Sequence, residues 1–167
     1  SKIYSTGSTA AENRIYSLAI QPLDGKIVAA GEGKIGSYYN IHVSRLHADG
    51  TLDSSFGSGG TVYDHIGTKN DLGKSMVLQA DGKIVVAGRT EVASNVYQWV
   101  VARYTTTGNR DLTFNGTGFR ILPISAYDLG DGFNTLGSND VKMIGDGMIA
   151  INEIIAAEEP SHPLSDQ

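Results

Sequence analysis

Two pairs of arginine and aspartate residues have the same spacing and could form ion pairs. Arg45 precedes Asp53 by eight residues, and Arg103 precedes Asp111 by the same eight. A guanidinium and a carboxylate form short, directional, charge-assisted hydrogen bonds. We therefore expect each pair to form within one structural unit and to hold the turn between its two members, in a structural rather than a catalytic role.

The remaining reactive side chains give no pattern typical of an enzyme. The chain has no cysteine, and its four histidines, His42, His47, His65 and His162, have no metal-ligand spacing. Many carboxylates lie in turns, where aspartate is common for conformational reasons. No glycine-rich segment has a phosphate-binding or dinucleotide-binding pattern. We therefore expect no enzymatic activity, no metal ion and no cofactor.

The composition indicates a folded chain with many turns. Its 167 residues include 21 glycines, whereas average usage gives about 12 in this length. The formal net charge is -5 and there are no basic clusters, which disfavours binding to nucleic-acid phosphates. No apolar run approaches the roughly 20 residues that span a bilayer, so we also expect no membrane insertion.

An internal repeat supplies the elements that must position these residues. Residues 24–31 (DGKIVAAG) return as residues 81–88 (DGKIVVAG), 57 positions later. Arg45, Asp53 and Phe56 each return 58 positions later. Matches of this length in the same order define two copies, at about 14–60 and 72–118. A third, degenerate copy is indicated by residues 146–151 (DGMIAI).

Each copy predicts four short β-strands. In the second copy, strands at 75–79 and 83–87 flank an Asp-Gly turn, which favours a type I′ hairpin. A β-branched and aromatic strand follows at 97–104, and the fourth strand lies at 118–122. Four strands in roughly 58 residues are typical of a propeller blade. The predicted fold class is all-β, with two four-stranded propeller-blade repeats and a degenerate third.

The repeat divides the chain into four parts. We assign 1–13 to an N-terminal strand and lead-in, 14–68 to the first repeat, 69–125 to the second, and 126–167 to a linker, the degenerate repeat and a tail. Within the repeats, Phe56 and Phe114 are expected to anchor the core. Trp99 aligns with the apolar Ile41, so we expect it to pack in the core rather than stack on a ligand.

The repeated pattern resembles a known family. Its order is Gln-x-Asp-Gly-Lys-Ile-Val-x-Ala-Gly, then an aromatic residue with Val-Val-Ala-Arg-Tyr, then x-Gly-x-x-Asp-x-x-Phe-x-x-x-Gly. The second copy carries this pattern at 79–88, 99–104 and 107–118. It is similar to the delta-60 repeat family, which implies tandem propeller-like blades of large secreted or surface proteins of bacteria. The resemblance implies an extracellular or cell-surface location, but no shared active site.

The C-terminal residues carry a second, shorter resemblance. Ser165-Asp166-Gln167 is similar to the opening of the self-cleaving chaperone that follows many phage-type tail fibres and trimeric adhesins. Such proteins are long surface fibres, as are the carriers of delta-60 repeats. This resemblance implies that the chain forms part of a surface fibre, whereas a disordered terminus is the alternative reading of the same three residues.

The segments 32–40 and 89–98 differ most between the two copies. We interpret them as loops, where binding residues concentrate. Tyrosine rings beside amide groups are typical of sugar sites. The candidate ligand-binding residues are Tyr38, Tyr39, Asn40, Asn95 and Tyr97. In the alternative interpretation, Tyr38 or Tyr39 merely begins the third strand, and alanine at both positions would then impair folding instead of binding.

These observations leave three functions open. The first is a non-enzymatic adhesin or tail-fibre module that binds a cell-surface ligand, either a glycan or a protein. The second is a structural spacer within a longer repeat array. The third is a propeller glycosidase, which requires a converging pair of carboxylates that the turn aspartates do not suggest. We favour the first, with a glycan as the ligand.

Two blades cannot close a propeller, which has typically 4 to 8. If these residues are the whole chain, other copies are needed to cover apolar faces such as those of Ile84, Val86, Trp99 and Val101. Three chains with two blades each would form a closed ring with cyclic symmetry. We therefore expect a homotrimer, with the segment from Asn139 onward leading along or across the threefold axis. The alternative is a monomeric piece of a longer array.

Overall fold

The computed structural model describes residues 12–122 and three short backbone strands at 141–144, 148–151 and 154–156. Residues 1–11 of the predicted N-terminal strand and lead-in, the predicted linker that begins at 126, and the last three residues lie outside the described residues. Every regular element in the described part is a β-strand, which confirms the all-β class. That part contains no helix able to cross a membrane.

Each repeat forms one four-stranded antiparallel sheet. The first sheet has the order β1-β2-β3-β4 and the second has the order β5-β6-β7-β8, so strands adjacent in sequence are adjacent in the sheet. Their bounds are β1 Asn13–Ile20, β2 Ile27–Ile35, β3 Tyr38–Leu46, β4 Thr61–Asp64, β5 Asp71–Leu78, β6 Ile84–Ala93, β7 Val96–Tyr104 and β8 Phe119–Leu122. This arrangement is that of two propeller blades, as the repeat predicts.

A third, smaller sheet corresponds to the degenerate copy. Strands β9 (Val141–Ile144), β10 (Met148–Ile151) and β11 (Ile154–Ala156) are antiparallel in the order β11-β10-β9. The predicted strand at 148–151 is therefore present and lies at the centre of this sheet.

The Asp-Gly turns differ from the predicted type I′ geometry. That type needs positive φ at both central residues, whereas in these turns only the glycines, Gly25 and Gly82, have it, at 69° and 83°. The aspartate instead caps the turn with its side chain, since Asp81 Oδ1 accepts a hydrogen bond from the Lys83 N–H at 3.1 Å. The carboxylate satisfies the backbone in a conformation that aspartate adopts readily.

The two segments interpreted as loops are extended hairpins instead. Strand β2 continues to Ile35 and β3 begins at Tyr38, so the turn contains only Gly36 and Ser37. Strand β6 likewise continues to Ala93, and β7 begins at Val96. The loop assignment is wrong because the backbone hydrogen bonds between paired strands do not depend on the side chains. The strands therefore continue through segments whose sequences differ between the copies.

A β-bulge in the first strand of each sheet explains why the repeated segments 24–31 and 81–88 both end in glycine. The pairing register shifts between Ile15 and Ser17 in β1, and at the matching place in β5. A Cβ atom on Gly31 would lie 1.8 Å from the Arg14 carbonyl oxygen, and one on Gly88 would lie 1.9 Å from that of Leu72. Only glycine allows the bulged strand to approach so closely.

The bulged residues of the two blades meet each other. Tyr16 in β1 and Lys74 in β5 occupy the unpaired positions, and the Lys74 ammonium lies 3.9 Å from the centroid of the Tyr16 ring. Both donate to the buried carboxylate of Glu32, Tyr16 at 3.1 Å and Lys74 at 3.1 Å. The blades are thus joined by side chains that lie outside the β-ladder pairing.

The main core lies between the two blades. Residues from facing sides of both sheets form a single cluster, and Met76 of β5 is buried there beside the first blade. The buried members are Val28, Ala30, Ile41, Val43, Phe56, Met76, Ile84, Val86, Val100, Ala102 and Tyr104. Because β-branched and small residues alternate along these strands, the two sheets pack through their apolar faces.

A second cluster occupies the other face of the second blade. It consists of Val85, Ala87, Val101 and Phe114, with Trp99 partly buried against it. Trp99 therefore packs against apolar side chains, as its alignment with Ile41 indicates. The expectation that Ile84, Val86 and Val101 need other copies to cover them is wrong, because all three are buried within the chain itself.

The arginine and aspartate pairs form as predicted. Arg45 donates from Nε to Asp53 at 2.7 Å, and Arg103 donates in the same way to Asp111 at 2.8 Å. Burial by itself raises the pKa of Asp111, but hydrogen bonds from Thr113 and Lys83 and the charge of Arg103 outweigh it and lower that pKa to about 2. We call each arginine–aspartate pair a latch.

The phenylalanine of each repeat lies against its latch. The guanidinium carbon of Arg45 is 4.8 Å from the Phe56 ring centroid, and that of Arg103 is 4.9 Å from the Phe114 ring centroid. Both rings are buried, which confirms their predicted core role. A cation over a buried aromatic face adds to the stability of the pair.

Candidate functional site

The predicted ligand-binding residues lie at one edge of the blades, opposite the latches. Strand β3 runs from Tyr38 to Leu46, so Tyr38 lies at one end and Arg45 near the other. The β2–β3 turn, the β6–β7 turn and the connection at 65–70 are held together at the Tyr38 end by hydrogen bonds. We call this the tyrosine edge, defined by Tyr38, Tyr39, Asn70, Asn95 and Tyr97.

A chain of hydrogen bonds links the two blades along this edge. The Tyr39 N–H of the first blade donates to Asn70 Oδ1 at 3.1 Å. Asn70 Nδ2 donates to Glu91 Oε2 of the second blade at 2.9 Å, and the Tyr97 hydroxyl donates to the same oxygen at 3.2 Å. Three of the five predicted residues, Tyr39, Asn95 and Tyr97, are therefore brought into one network.

Glu91 is the centre of this network. Its side chain is buried, and its Oε1 atom accepts the Asn95 N–H at 3.0 Å in the β6–β7 turn. That hydrogen bond is the largest cause of the lowered pKa of Glu91, and further hydrogen bonds from Asn70 and Tyr97 outweigh the cost of burial. The carboxylate is thus held ionised in a site that keeps the turn in one conformation, with Asn95 at a φ of 60°.

Tyr39 is committed to contacts within the protein. Its hydroxyl donates to Glu12 at 2.6 Å, and this hydrogen bond is the main cause of the raised pKa of Tyr39. Arg14 and Lys34 lie 5.6 and 5.8 Å from the centroid of its ring. A ligand that stacked on Tyr39 would compete with these two cations.

Asn40 does not present its amide to a ligand. Its side chain is buried and donates from Nδ2 to the Tyr38 carbonyl oxygen at 3.2 Å. The structure thus places this predicted site residue in a local supporting role.

Tyr38 is the most exposed of the predicted tyrosines. Its exposed fraction is 40%, and its ring is nearly parallel to that of His65, with an interplanar angle of 11° and centroids 6.3 Å apart. A partly exposed aromatic ring at a blade edge offers a face on which the apolar side of a ligand can stack. Tyr38 begins β3, as the alternative interpretation expects, and its role in binding stays a prediction.

His65 is held by a buried aspartate. Its Nδ1 atom lies 3.0 Å from Asp71 Oδ2, while 46% of the His65 side chain is exposed. Asp71 is fully buried and also accepts the Ile66 and Gly67 N–H groups, at 2.8 and 2.9 Å. The carboxylate therefore fixes both the imidazole and the backbone that follows it.

The sequence gives little indication of Asn70, Glu91, His65 or Asp71 as site residues. The first repeat has Asn13 and Lys34 at the positions of Asp71 and Glu91, so repeat comparison marks neither of them. The signal that exists is position, because Glu91 lies within one of the two divergent segments. No group of three side chains suited to bind a metal ion occurs in the described part of the chain.

Two stretches of the chain match one family of repeats. No curated protein and no solved structure matches the chain. Residues 23–56 and 79–114 each extend from an Asp-Gly turn to the phenylalanine beside a latch. Both stretches match the model of the family described as "Domain of unknown function (DUF5122) beta-propeller". The two blades are therefore similar in sequence, as well as in fold, to the repeats of a propeller family.

Proposed function

We propose that this chain is a non-enzymatic binding module of an extracellular or bacterial surface fibre, and that it binds a glycan at the tyrosine edge. The resemblance of its repeats to the delta-60 family supports the surface location. The fold class itself carries no function, because propellers serve many purposes. The argument for binding therefore depends on the site.

One observation carries the proposal. Residues from both blades and from their connection converge at one edge, where Tyr38 and His65 present parallel, partly exposed rings. Aromatic faces beside hydrogen-bonding groups are typical of sugar sites. The edge is also held rigid by Glu91, so little conformational entropy is lost when a ligand binds.

A glycan array with the full chain tests this proposal. We expect specific binding to a small group of glycans, and Tyr38→Ala to weaken it about tenfold, since stacking on an aromatic ring contributes on the order of 1 kcal/mol. Leu112→Ala is the matched control, because Leu112 is also exposed but lies beside Asp111 at the latch edge. A blank array for the wild-type chain would contradict the proposal.

A structural spacer is the second candidate, and a specific observation favours it. The hydroxyls of Tyr39 and Tyr97 donate to Glu12 and Glu91, so the network satisfies its own polar groups without a ligand. A spacer needs this rigidity between blades and no exposed binding surface. The same blank array, together with an intact fold, is the result expected for a spacer.

We also propose that the chain associates with copies of itself as a homotrimer. Leu18 and Ile20 of β1 are each 67% exposed. The matching residues of β5, Met76 and Leu78, pack against the first blade. A blade from a second copy is the partner that this internal interface indicates, because it would present the same apolar face to β1. Closure by three chains is the arrangement expected from cyclic symmetry.

A further inference from the structure

We propose that His65 is the residue of the tyrosine edge that selects the ligand, and that it does so by presenting Nε2 as a fixed hydrogen-bond acceptor to the hydroxyl group of an uncharged sugar. This inference deepens the proposed glycan binding and rests on it. Nothing in the repeat pattern indicates His65, since the first repeat has Gly7 at the corresponding position. Its role follows from its surroundings in the fold.

The first step is the orientation of the imidazole. Asp71 Oδ2 lies 3.0 Å from His65 Nδ1, and the Asp71 carboxylate already accepts hydrogen bonds from the Ile66 N–H, the Gly67 N–H and the Thr90 hydroxyl, so it faces the imidazole as an acceptor. The neutral imidazole must therefore carry its hydrogen on Nδ1, which leaves a lone pair on Nε2. Because the side chain is 46% exposed, that lone pair is available to a ligand.

The second step is that Asp71 cannot turn away. Its Oδ1 atom accepts the Thr90 hydroxyl at 2.5 Å and the Gly67 N–H at 2.9 Å, and its Oδ2 atom accepts the Ile66 N–H at 2.8 Å. His65 Nδ1 also lies 3.0 Å from Oδ2, so polar neighbours surround both oxygens of the carboxylate. Any rotation would leave buried donors unsatisfied, which is costly.

The third step is that the backbone of His65 is fixed as well. Arg110 donates from Nη2 to the His65 carbonyl oxygen at 2.8 Å, and it also holds Asp64 through Nε at 2.8 Å. Asp64 in turn accepts the buried Tyr104 hydroxyl at 2.8 Å. Side chain and main chain of His65 are therefore both positioned before a ligand arrives, as a specific polar contact requires.

The chemistry of the ligand follows from this arrangement. A lone pair on Nε2 accepts from a hydroxyl group but repels a carboxylate, and the charge of Asp71 behind the ring adds to that repulsion. The parallel Tyr38 ring offers a face for the C–H groups of a pyranose. Together they fit a neutral hexopyranose better than a sialic or uronic acid.

The test begins with the tautomer, which can be measured without a ligand. A long-range 1H–15N spectrum of the full chain at pH 8, where imidazole is ordinarily neutral, should show His65 with its hydrogen on Nδ1. The probes are then methyl β-D-galactopyranoside, methyl β-D-glucopyranoside and N-acetylneuraminic acid. We expect one or both neutral glycosides to shift the His65 Nε2 signal and the acid to leave it unchanged.

His65→Asn separates the two nitrogens, because the asparagine amide can still donate to Asp71 in place of Nδ1 but offers nothing in place of Nε2. We expect it to weaken binding of the responding glycoside about 3- to 10-fold, as for the loss of one neutral hydrogen bond. His47→Asn is the matched control, since the His47 side chain is 47% exposed but lies just beyond the other end of β3, beside the latch of Asp53.

The outcomes distinguish this inference from the function on which it rests. A hydrogen on Nε2, or glycoside binding that His65→Asn and His47→Asn affect equally, would overturn the role of His65 and leave glycan binding intact. Binding of N-acetylneuraminic acid at His65 would overturn the preference for neutral sugars. A glycan array without any binding would remove the proposed function, even if His65 carries its hydrogen on Nδ1.

Discussion

Arg45 and Thr106 belong to different blades, and a hydrogen bond from Arg45 Nη1 to the Thr106 carbonyl oxygen joins them at 2.5 Å. The same guanidinium donates from Nε to Asp53 inside its own blade. Beside this contact, the Gly57 N–H donates to the Thr107 carbonyl oxygen at 2.9 Å. A single arginine therefore fixes a turn of one blade and the turn of the next blade that packs against it.

Replacing Arg45 should lower the stability of the whole two-blade unit. Arg45→Gln leaves the buried Asp53 without its main partner, and loss of one member of a buried ion pair costs about 3 kcal/mol. Lys26, whose ammonium lies 3.0 Å from Asp53, limits the loss. The measurement is urea unfolding, and Arg120→Gln at an exposed position is the control, with an expected change below about 0.5 kcal/mol. Equal losses for the two variants would contradict the latch.

His42 should make stability depend on pH between about 6.5 and 4. His42 is buried, and the second repeat has Val100 at the same position. Burial lowers the pKa of His42 to about 4, and a hydrogen bond with the Val62 backbone opposes part of that shift. In that interval the unfolded chain binds a proton that the folded chain does not. The contribution of His42 to the free energy of unfolding is therefore fully present above pH 6.5. It decreases by about 3 kcal/mol as the pH drops towards 4.

His42→Val isolates this effect, because it installs the residue of the second repeat. The pH dependence between 6.5 and 4 should disappear, while the separate loss between about pH 4 and 2 remains, since the pKa of Asp111 is lowered to about 2 in the folded state. Thermal unfolding across this range is the measurement. An unchanged slope between pH 6.5 and 4 in the variant would show that His42 is not its source.

Gly88→Ala should destabilise the second blade strongly. The added methyl group would overlap the Leu72 carbonyl oxygen at the bulge, and overpacking against backbone costs about 3 kcal/mol or prevents the bulge from forming. Gly25→Ala is the comparison, since its Cβ would lie in open space. Its only cost is the left-handed backbone conformation at a φ of 69°, about 1 kcal/mol for alanine. The difference is measurable by chemical denaturation, and a reversed order would contradict the assigned bulge.

Met76→Ala and Leu18→Ala probe equivalent positions in β5 and β1. Met76 is buried between the blades, so its truncation should cost about 2 to 4 kcal/mol at any protein concentration. Leu18 is 67% exposed, so its truncation should change stability only if another copy of the chain covers it. In a homotrimer, Leu18→Ala should lower the midpoint of assembly measured by light scattering. A stable wild-type monomer at micromolar concentration would contradict the trimer.

The parts of the structure that are predictable from sequence lie within one repeat. Arg45 and Asp53 recur together in both copies, so their pairing could be inferred from spacing alone. The bond from Arg45 to Thr106 could not, because it joins different copies and ends on a backbone atom that no side-chain pattern marks. The position of Phe56 was predictable for the same reason as the latch, since an apolar residue at a fixed interval is a core signal.

The tyrosine edge was predictable in outline but not in its contacts. Divergence between the copies singled out the segments that contain Tyr38 and Tyr97 as binding segments, and their binding role stays a prediction. It also suggested loops where backbone pairing continues as strands. His65 and Asp71 escaped detection because a buried carboxylate beside an exposed imidazole depends on how the connection between blades folds. Sequence divergence shows where side chains change, and it contains no information about which of them meet.

The bulged positions have a consequence for how such an array can diversify. Tyr16 and Lys74 are equivalent residues of different charge, and neither has a partner in the strand register. An exchange at either position leaves every ladder hydrogen bond in place and changes only the side-chain contacts among Tyr16, Lys74 and Glu32, two of which cross between the blades. Duplicated blades can therefore acquire pairwise recognition, in which each blade accepts one neighbour and rejects another, without any change to the fold that they share.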